Sequence, residues 1–124
     1  MLDEIINSGS GYKFRLTATM VSHSIINANR GIRNLLKNHG IVDFEDIESG
    51  PENKEIRDVL ICSTNVIFRS QTTFYKPRTK RGTEARMWPR LLGRIANEDN
   101  WILMAVLRGQ LCFIVMDSEE GTGL

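Results

Sequence analysis

Two apolar segments late in the 124-residue chain constrain its fold most strongly. Trp101 to Leu107 and Leu111 to Met116 flank Arg108-Gly109-Gln110, a sequence typical of a tight turn between two strands. Neither segment is long enough to cross a bilayer, so no membrane partner is expected. The pattern predicts a β-hairpin and favours a β-rich fold.

The rest of the chain predicts further short strands and two small helices. Strand-like patterns occur at 12–17, 59–62, 66–68 and 72–75. One helix is predicted over 30–38, ended by Gly40, and another begins at Pro89. Residues 19–29 are predicted to form a polar loop, and residues 76–85 a projecting loop. About six strands with two helices, without regular strand–helix alternation, predict a mostly β domain with short α-helices and a small barrel-like core.

Length and composition predict one domain over residues 1–116, followed by a linker or tail at 117–124. Cys62 and Cys112 lie in apolar runs, which favours free, buried thiols in a reducing cytoplasm and leaves a disulfide between them open. No Cys/His cluster has zinc spacing, so no metal or cofactor is expected. The acidic N-terminus does not resemble a secretory signal.

Positive charge is concentrated in the second half of the chain. The run from Arg69 to Arg94 contains eight cationic side chains and one acid, Glu84, although the formal net charge is only +1. Segment 13–42 carries five cations and no acid, whereas 43–58 and 97–124 are net acidic. If the two basic segments fold onto one face, that face attracts nucleic acid while the molecule stays near neutral. Separate solvated faces are the alternative.

Short motifs in both basic segments resemble the effector domain of EcoRII-type restriction endonucleases. Arg15-Leu16-Thr17, Ser22-His23-Ser24 and Gly31-Ile32 resemble its first part, and Phe74-Tyr75 with the basic loop up to Arg86 resembles its second part. The resemblance implies the DNA-binding pseudobarrel fold shared with plant B-three domains, in which a barrel core grips the major groove and two arms supply base contacts. The chain departs from that pattern after Ile32, where the family continues as a strand.

The resemblance also implies DNA-contacting residues on or near both arms. The first arm would present Arg15, Thr17, Ser22, His23, Ser24, Asn27 and Arg30, and the second Lys76, Arg78, Lys80, Arg81, Glu84, Arg86 and Trp88. Arg81 and Arg86 would pair with guanine edges, and Glu84 would accept from a cytosine amino group and orient an arginine. Arg78 and the two lysines would hold phosphates, and Trp88 would form the hydrophobic root of the second arm.

We therefore predict sequence-specific double-stranded DNA binding, by the recognition or effector domain of a restriction endonuclease or related defence protein. This makes the chain a binding domain rather than an enzyme, with no catalytic residues of its own, and a catalytic domain would follow the 117–124 segment.

Three alternatives stay open. Glu52 and Lys54, with acids upstream, superficially fit the pattern of metal-dependent nucleases, although no apolar strand surrounds them. Phe74, Tyr75 and Trp88, set among arginines, could instead stack the bases of RNA or single-stranded DNA. The basic loop could also meet an acidic protein partner.

Overall fold

A computed structural model of the protein describes residues 9–63, 66–79 and 82–116. The strands within these ranges are β1 (Gly11–Arg15), β2 (Ile26–Asn27), β3 (Glu55–Cys62), β4 (Ile67–Tyr75), β5 (Arg78–Thr79), β6 (Gly82–Thr83), β7 (Arg86–Pro89), β8 (Trp101–Leu107) and β9 (Gln110–Met116). The α-helices are α1 (Ala18–His23), α2 (Arg30–Asn38) and α3 (Leu92–Ile95). Short 3-10 turns cover Phe44–Asp46 and Pro51–Asn53. The predicted segment 117–124 lies outside the described residues.

Seven of the strands form one sheet in the order β1-β8-β9-β3-β4-β7-β2. Neighbouring strands are antiparallel except β3 and β9, which run parallel. The sheet curls into half a barrel, which confirms the predicted mostly β class with short helices. Among the strands of the described ranges, β5 and β6 pair only with each other and form a separate two-stranded ribbon.

The predicted hairpin is confirmed as β8 and β9. Arg108 and Gly109, the two residues between the strands, have φ angles of 53° and 78°. Positive φ at both central residues matches the right-handed twist of the flanking strands, and glycine adopts it without strain. The hairpin therefore forms largely from local sequence.

The predicted helix over 30–38 is confirmed as α2. Asn29 caps its first turn, because the side-chain oxygen accepts from the Ile32 amide at 3.0 Å. Gly40, with a φ of 70°, ends the helix, and the amide of Ile41 donates to the Leu36 carbonyl at 2.9 Å. Ile32, Leu35 and Leu36 form the buried stripe of the helix.

The sheet buries side chains on both faces. Ile102 and Met104 of β8 belong to the main core, which also contains α2 and Phe74. Leu103 and Ala105 alternate with them along β8 and belong to a second, smaller cluster with Met116. Because successive side chains of a strand point to opposite faces, the two clusters lie on opposite sides of the sheet.

Several local predictions were wrong. The polar loop predicted at 19–29 contains α1 and β2, because Thr17 caps a helix there and accepts from the Met20 amide at 3.2 Å. The strands predicted at 66–68 and 72–75 are one continuous strand, β4.

Two further predictions, both in the second half of the chain, also differ from the structure. The projecting loop at 76–85 contains the β5–β6 ribbon. Pro89 ends β7 instead of starting a helix, and α3 begins only after Leu91, which has a φ of 69° and an exposed side chain.

Both cysteines are free, as predicted. Cys112 is buried and Cys62 is half-buried, and burial raises the pKa of the Cys112 thiol to about 11. Within the part of the chain that the structure describes, no helix combines the length and the apolar character needed to cross a bilayer.

Candidate nucleic-acid interface

The two predicted arms meet where β2 pairs with β7. Here the first arm denotes residues 17–30 and the second arm residues 76–88. Ile26 pairs with Met87, and Asn27 pairs with Arg86. Ile26 and Met87 are both buried in the main core, so hydrophobic packing as well as backbone hydrogen bonds holds the arms together. The polar first arm therefore lies beside the base of the basic ribbon.

Helix α1 has no fully buried residue, but its partly buried Met20 and Val21 pack against the main core. Ser24, which follows it, has a left-handed φ of 55° that turns the chain into β2. Gly93 of α3 approaches closely, since a Cβ added there would lie 3.4 Å from both the Ser24 Oγ and the Val21 carbonyl oxygen. Helix α3 thus packs beside the first arm at Gly93.

A cleft of about 530 Å³ opens between the first arm and the outer face of the sheet. This arm cleft is lined by His23, Ser24, Ile25, Lys54, Thr73, Tyr75 and Trp88. Its volume falls within the range of about 300–1,000 Å³ that is usual for ligand sites. The structure thus brings three of the predicted site residues, His23, Ser24 and Trp88, to one place.

A second depression of about 350 Å³ adjoins the arm cleft and shares Ser24 and Trp88 with it. This arginine groove is lined by Val21, Ser24, Trp88, Arg90, Leu91, Gly93 and Arg94. The Arg90 guanidinium lies 5.3 Å from the centroid of the Trp88 ring, within cation–π range. Neither depression has an acidic side chain among its described lining residues.

The side chains of Glu84 and Arg86 contact each other at the base of the β5–β6 ribbon. Their side chains form an ion pair at 2.8 Å, and both are half-buried. The hydrogen bond to Glu84 raises the pKa of the Arg86 guanidinium, and Tyr75 contributes in the same direction. The buried Nε of Arg86 has no hydrogen-bond partner among the described residues. The guanidinium is thus fixed next to the arm cleft.

Two predicted cations of the first basic segment lie away from the arm cleft. Arg15 ends β1 and forms an exposed ion pair with Asp99 at 2.8 Å. Arg30 begins α2 and lines a separate depression of about 260 Å³. In that depression Lys37 lies 3.8 Å and 3.6 Å from two carboxylates of segment 43–58. Acidic segments therefore neutralise part of the charge that was predicted to face a nucleic acid.

The remaining predicted contacts are spread along both arms. Thr17 serves as the cap of α1, Ser22 is exposed on α1, and Asn27 is exposed on β2. Lys76 is half-buried at the end of β4, and Arg78 lies in β5. Lys80 and Arg81 lie outside the described residues.

Thr73 lines the arm cleft but was not predicted as a site residue, and Lys54 and Tyr75, which also line it, were named only in the nuclease and base-stacking alternatives. A period-two signal was available for two of them, because Thr72 and Phe74 are buried while Thr73 and Tyr75 are half-buried on the other face of β4. Lys54 could not be found in this way, because it reaches the cleft only through the pairing of β3 with β4.

Metal-binding side chains do not gather in the described residues, where no group of three or more His, Cys, Asp or Glu could hold an ion. Glu52 lies in the 3-10 turn Pro51–Asn53, and Lys54 follows that turn immediately before β3.

These features define a small β-rich domain with a curled seven-stranded sheet and a cleft between the first arm and the outer face of that sheet. No protein-family model, curated protein or solved structure gives a significant match to the chain.

Proposed function

We propose that the protein binds double-stranded DNA sequence-specifically through the surface that its two arms form. The role would be that of the recognition or effector domain of a restriction endonuclease or related defence protein. The pairing of β2 with β7 is the observation that carries this proposal, because it brings an early polar segment and a late basic segment to the same edge of the sheet. Residues from both segments line the arm cleft and the arginine groove.

The β5–β6 ribbon is the element that we assign to the major groove. It connects β4 with β7 and is flanked by cationic residues of the second arm. A major groove about 12 Å wide admits a two-stranded ribbon, and an arginine fork pairs with the O6 and N7 atoms of guanine. Arg86, held by Glu84 at 2.8 Å at the base of this ribbon, is suited to that contact.

The arginine groove suits the phosphate backbone. Arg90 and Arg94 line it without an acid among its described lining residues. Lysine and arginine side chains that neutralise phosphates release counterions, so affinity falls with salt by about 0.9 log unit per contact for each log unit of salt. Phosphate contacts of this kind set the register, and base contacts at the ribbon supply the specificity.

The decisive experiment begins with selection of binding sites from randomised duplexes. The selected duplex and each of its single strands are then compared in gel shifts at two salt concentrations. We expect the duplex to bind more tightly than either strand, with an affinity that falls as salt rises. Equal or tighter binding of a single strand would contradict the proposal and favour the stacking alternative.

Three single-charge variants separate specificity from general attraction. Arg86→Ala should lose about 1–3 kcal/mol of discrimination at one base pair. Arg94→Ala should weaken all duplexes alike and lower the salt slope by about one. Lys13→Ala is the matched control, because it removes one positive charge from β1 at the opposite edge of the strand order. If Lys13→Ala weakens binding as much as Arg94→Ala, the attraction is not localised to the arms and the arginine groove.

A further inference from the structure

We propose that the arm cleft binds a single nucleobase, inserted between the side chains of Tyr75 and Trp88. The base could arrive from two sources, either extruded from a DNA strand or as part of a free mononucleotide. Binding of an extruded base rests on the duplex binding proposed above, whereas binding of a free mononucleotide does not.

The spacing of the two aromatic residues supports this inference. Thr73 pairs with Trp88 and Tyr75 pairs with Arg86, so Tyr75 and Trp88 are diagonal neighbours on one face of the sheet. The backbone positions of such neighbours lie about 7–8 Å apart. A planar ring stacked between two others needs about 7–8 Å between the outer rings, which is twice the stacking distance of about 3.5–4.0 Å, so the strand register is compatible with one base between the two side chains. Among the described residues, no ring contact joins Tyr75 to Trp88.

The polar lining of the cleft suits the edge of a base. Thr73 lies directly across from Trp88, and Ser24 and His23 line the side formed by the first arm. A hydroxyl group both donates and accepts hydrogen bonds, and a histidine ring does so in its neutral form. Enzymes and readers that extrude a base hold it by stacking and by hydrogen bonds of this kind.

Lys54 adds a partner for a phosphate group. It lines the cleft from the β3 side, and none of the ion pairs among the described residues involves it. The volume of about 530 Å³ accommodates a sugar and a phosphate beside the base. The cleft thus offers separate contacts to the ring of the base, to the polar edge of the base and to the phosphate of the nucleotide.

The first test measures free mononucleotides by tryptophan fluorescence. The chain has two tryptophans, so Trp101→Phe leaves Trp88 as the sole reporter. The four deoxynucleoside monophosphates are titrated into the millimolar range, and we expect saturable quenching in this variant. Trp88→Phe, which keeps Trp101, should show no saturable quenching. Adding Tyr75→Leu to the reporter variant should weaken binding roughly ten-fold, whereas Tyr75→Phe should retain it, because it keeps the stacking ring.

The second test measures extrusion in the selected duplex. The fluorescent base 2-aminopurine is placed at successive positions, and we expect its emission to rise on binding at one of them. Tyr75→Leu should abolish the rise while the duplex stays bound. Thermal unfolding of each variant identifies any loss caused by misfolding, and Tyr75→Phe should behave like the parent protein in both tests.

The outcomes distinguish this inference from the proposed function. Duplex binding without an emission rise at any position, and without quenching by any mononucleotide, overturns the nucleobase inference and leaves duplex recognition intact. Quenching by a mononucleotide without duplex binding upholds the nucleobase cleft and overturns the proposed function. An emission rise that persists in both Tyr75→Leu and Trp88→Leu, which remove the stacking rings, overturns the assignment to this cleft.

Discussion

The substitution Thr72→Val is expected to stabilise the protein. Thr72 is fully buried in β4, and its Oγ1 has no hydrogen-bond partner among the described residues. Valine has the same branched shape and an equal preference for strands, and it replaces the hydroxyl with a methyl group. The substitution therefore removes an unsatisfied polar group without changing the strand.

The size of the expected gain in stability follows from the recovered cost of the hydroxyl and from the effects of the added methyl group. An unsatisfied buried hydroxyl costs about 1–3 kcal/mol, which the substitution recovers. The added methyl gains up to about 0.8 kcal/mol from burial, but its extra volume in a packed core offsets part of that gain. We expect the free energy of unfolding to rise by roughly 1–2 kcal/mol. For a domain of this size the melting temperature would rise by about 3–8 °C.

Urea and thermal unfolding of the parent protein and the variant measure this change. The urea midpoint should rise while the slope of the transition stays the same. Thr73→Val is the matched control, because Thr73 is the next residue, is half-buried and belongs to the cleft face. It should stay within about 0.5 kcal/mol of the parent. A loss of stability in Thr72→Val alone would show that its hydroxyl is satisfied in the folded protein.

Three further predictions test the helix, the buried thiol and the second arm. Gly31→Ala should lower the melting temperature although alanine is the better helix former, because a Cβ there would overlap the ring of Tyr12. Stability in urea should fall as the pH rises from 9 towards 11, because burial raises the pKa of Cys112 to about 11, so the folded state keeps a proton that the unfolded state loses. Cys112→Ala should reduce this pH dependence, and the remainder should come from Cys62, whose pKa burial also raises. In gel shifts, Lys76→Ala should weaken all duplexes alike and Arg81→Ala should relax specificity at one base pair; a uniform loss from both would refute this division of roles.

The elements predicted correctly from sequence are those determined by neighbouring residues. The β8–β9 hairpin depends on its two-residue turn, and α2 depends on the cap at Asn29, a buried stripe and Gly40. Helix α1 was missed because it has no buried residue and so no hydrophobic period. The helix predicted to begin at Pro89 begins only at Leu92, because Leu91 has a left-handed φ of 69° and an exposed side chain.

The arm cleft could not be predicted, because its lining comes from four separate segments. Strand pairing places Lys54, Tyr75 and Trp88 together, and register between distant strands is not readable from a single sequence. The charge pattern was equally incomplete. Arg15 was predicted to lie on or near the first DNA-contacting arm, but Asp99, which lies far away in the sequence, pairs with it.

The strand order also has a consequence for how the chain folds. β8 and β9 lie between β1 and β3, although they are the last strands of the sheet to be synthesised. During translation β1 therefore has no neighbour in the sheet until residues 101–116 leave the ribosome. Closing such distant contacts is slow, so β1 and the free edge of β3 stay exposed to other chains in the meantime. The sheet is therefore completed when the β8–β9 hairpin inserts between β1 and β3, in the interior of the strand order and not at an edge.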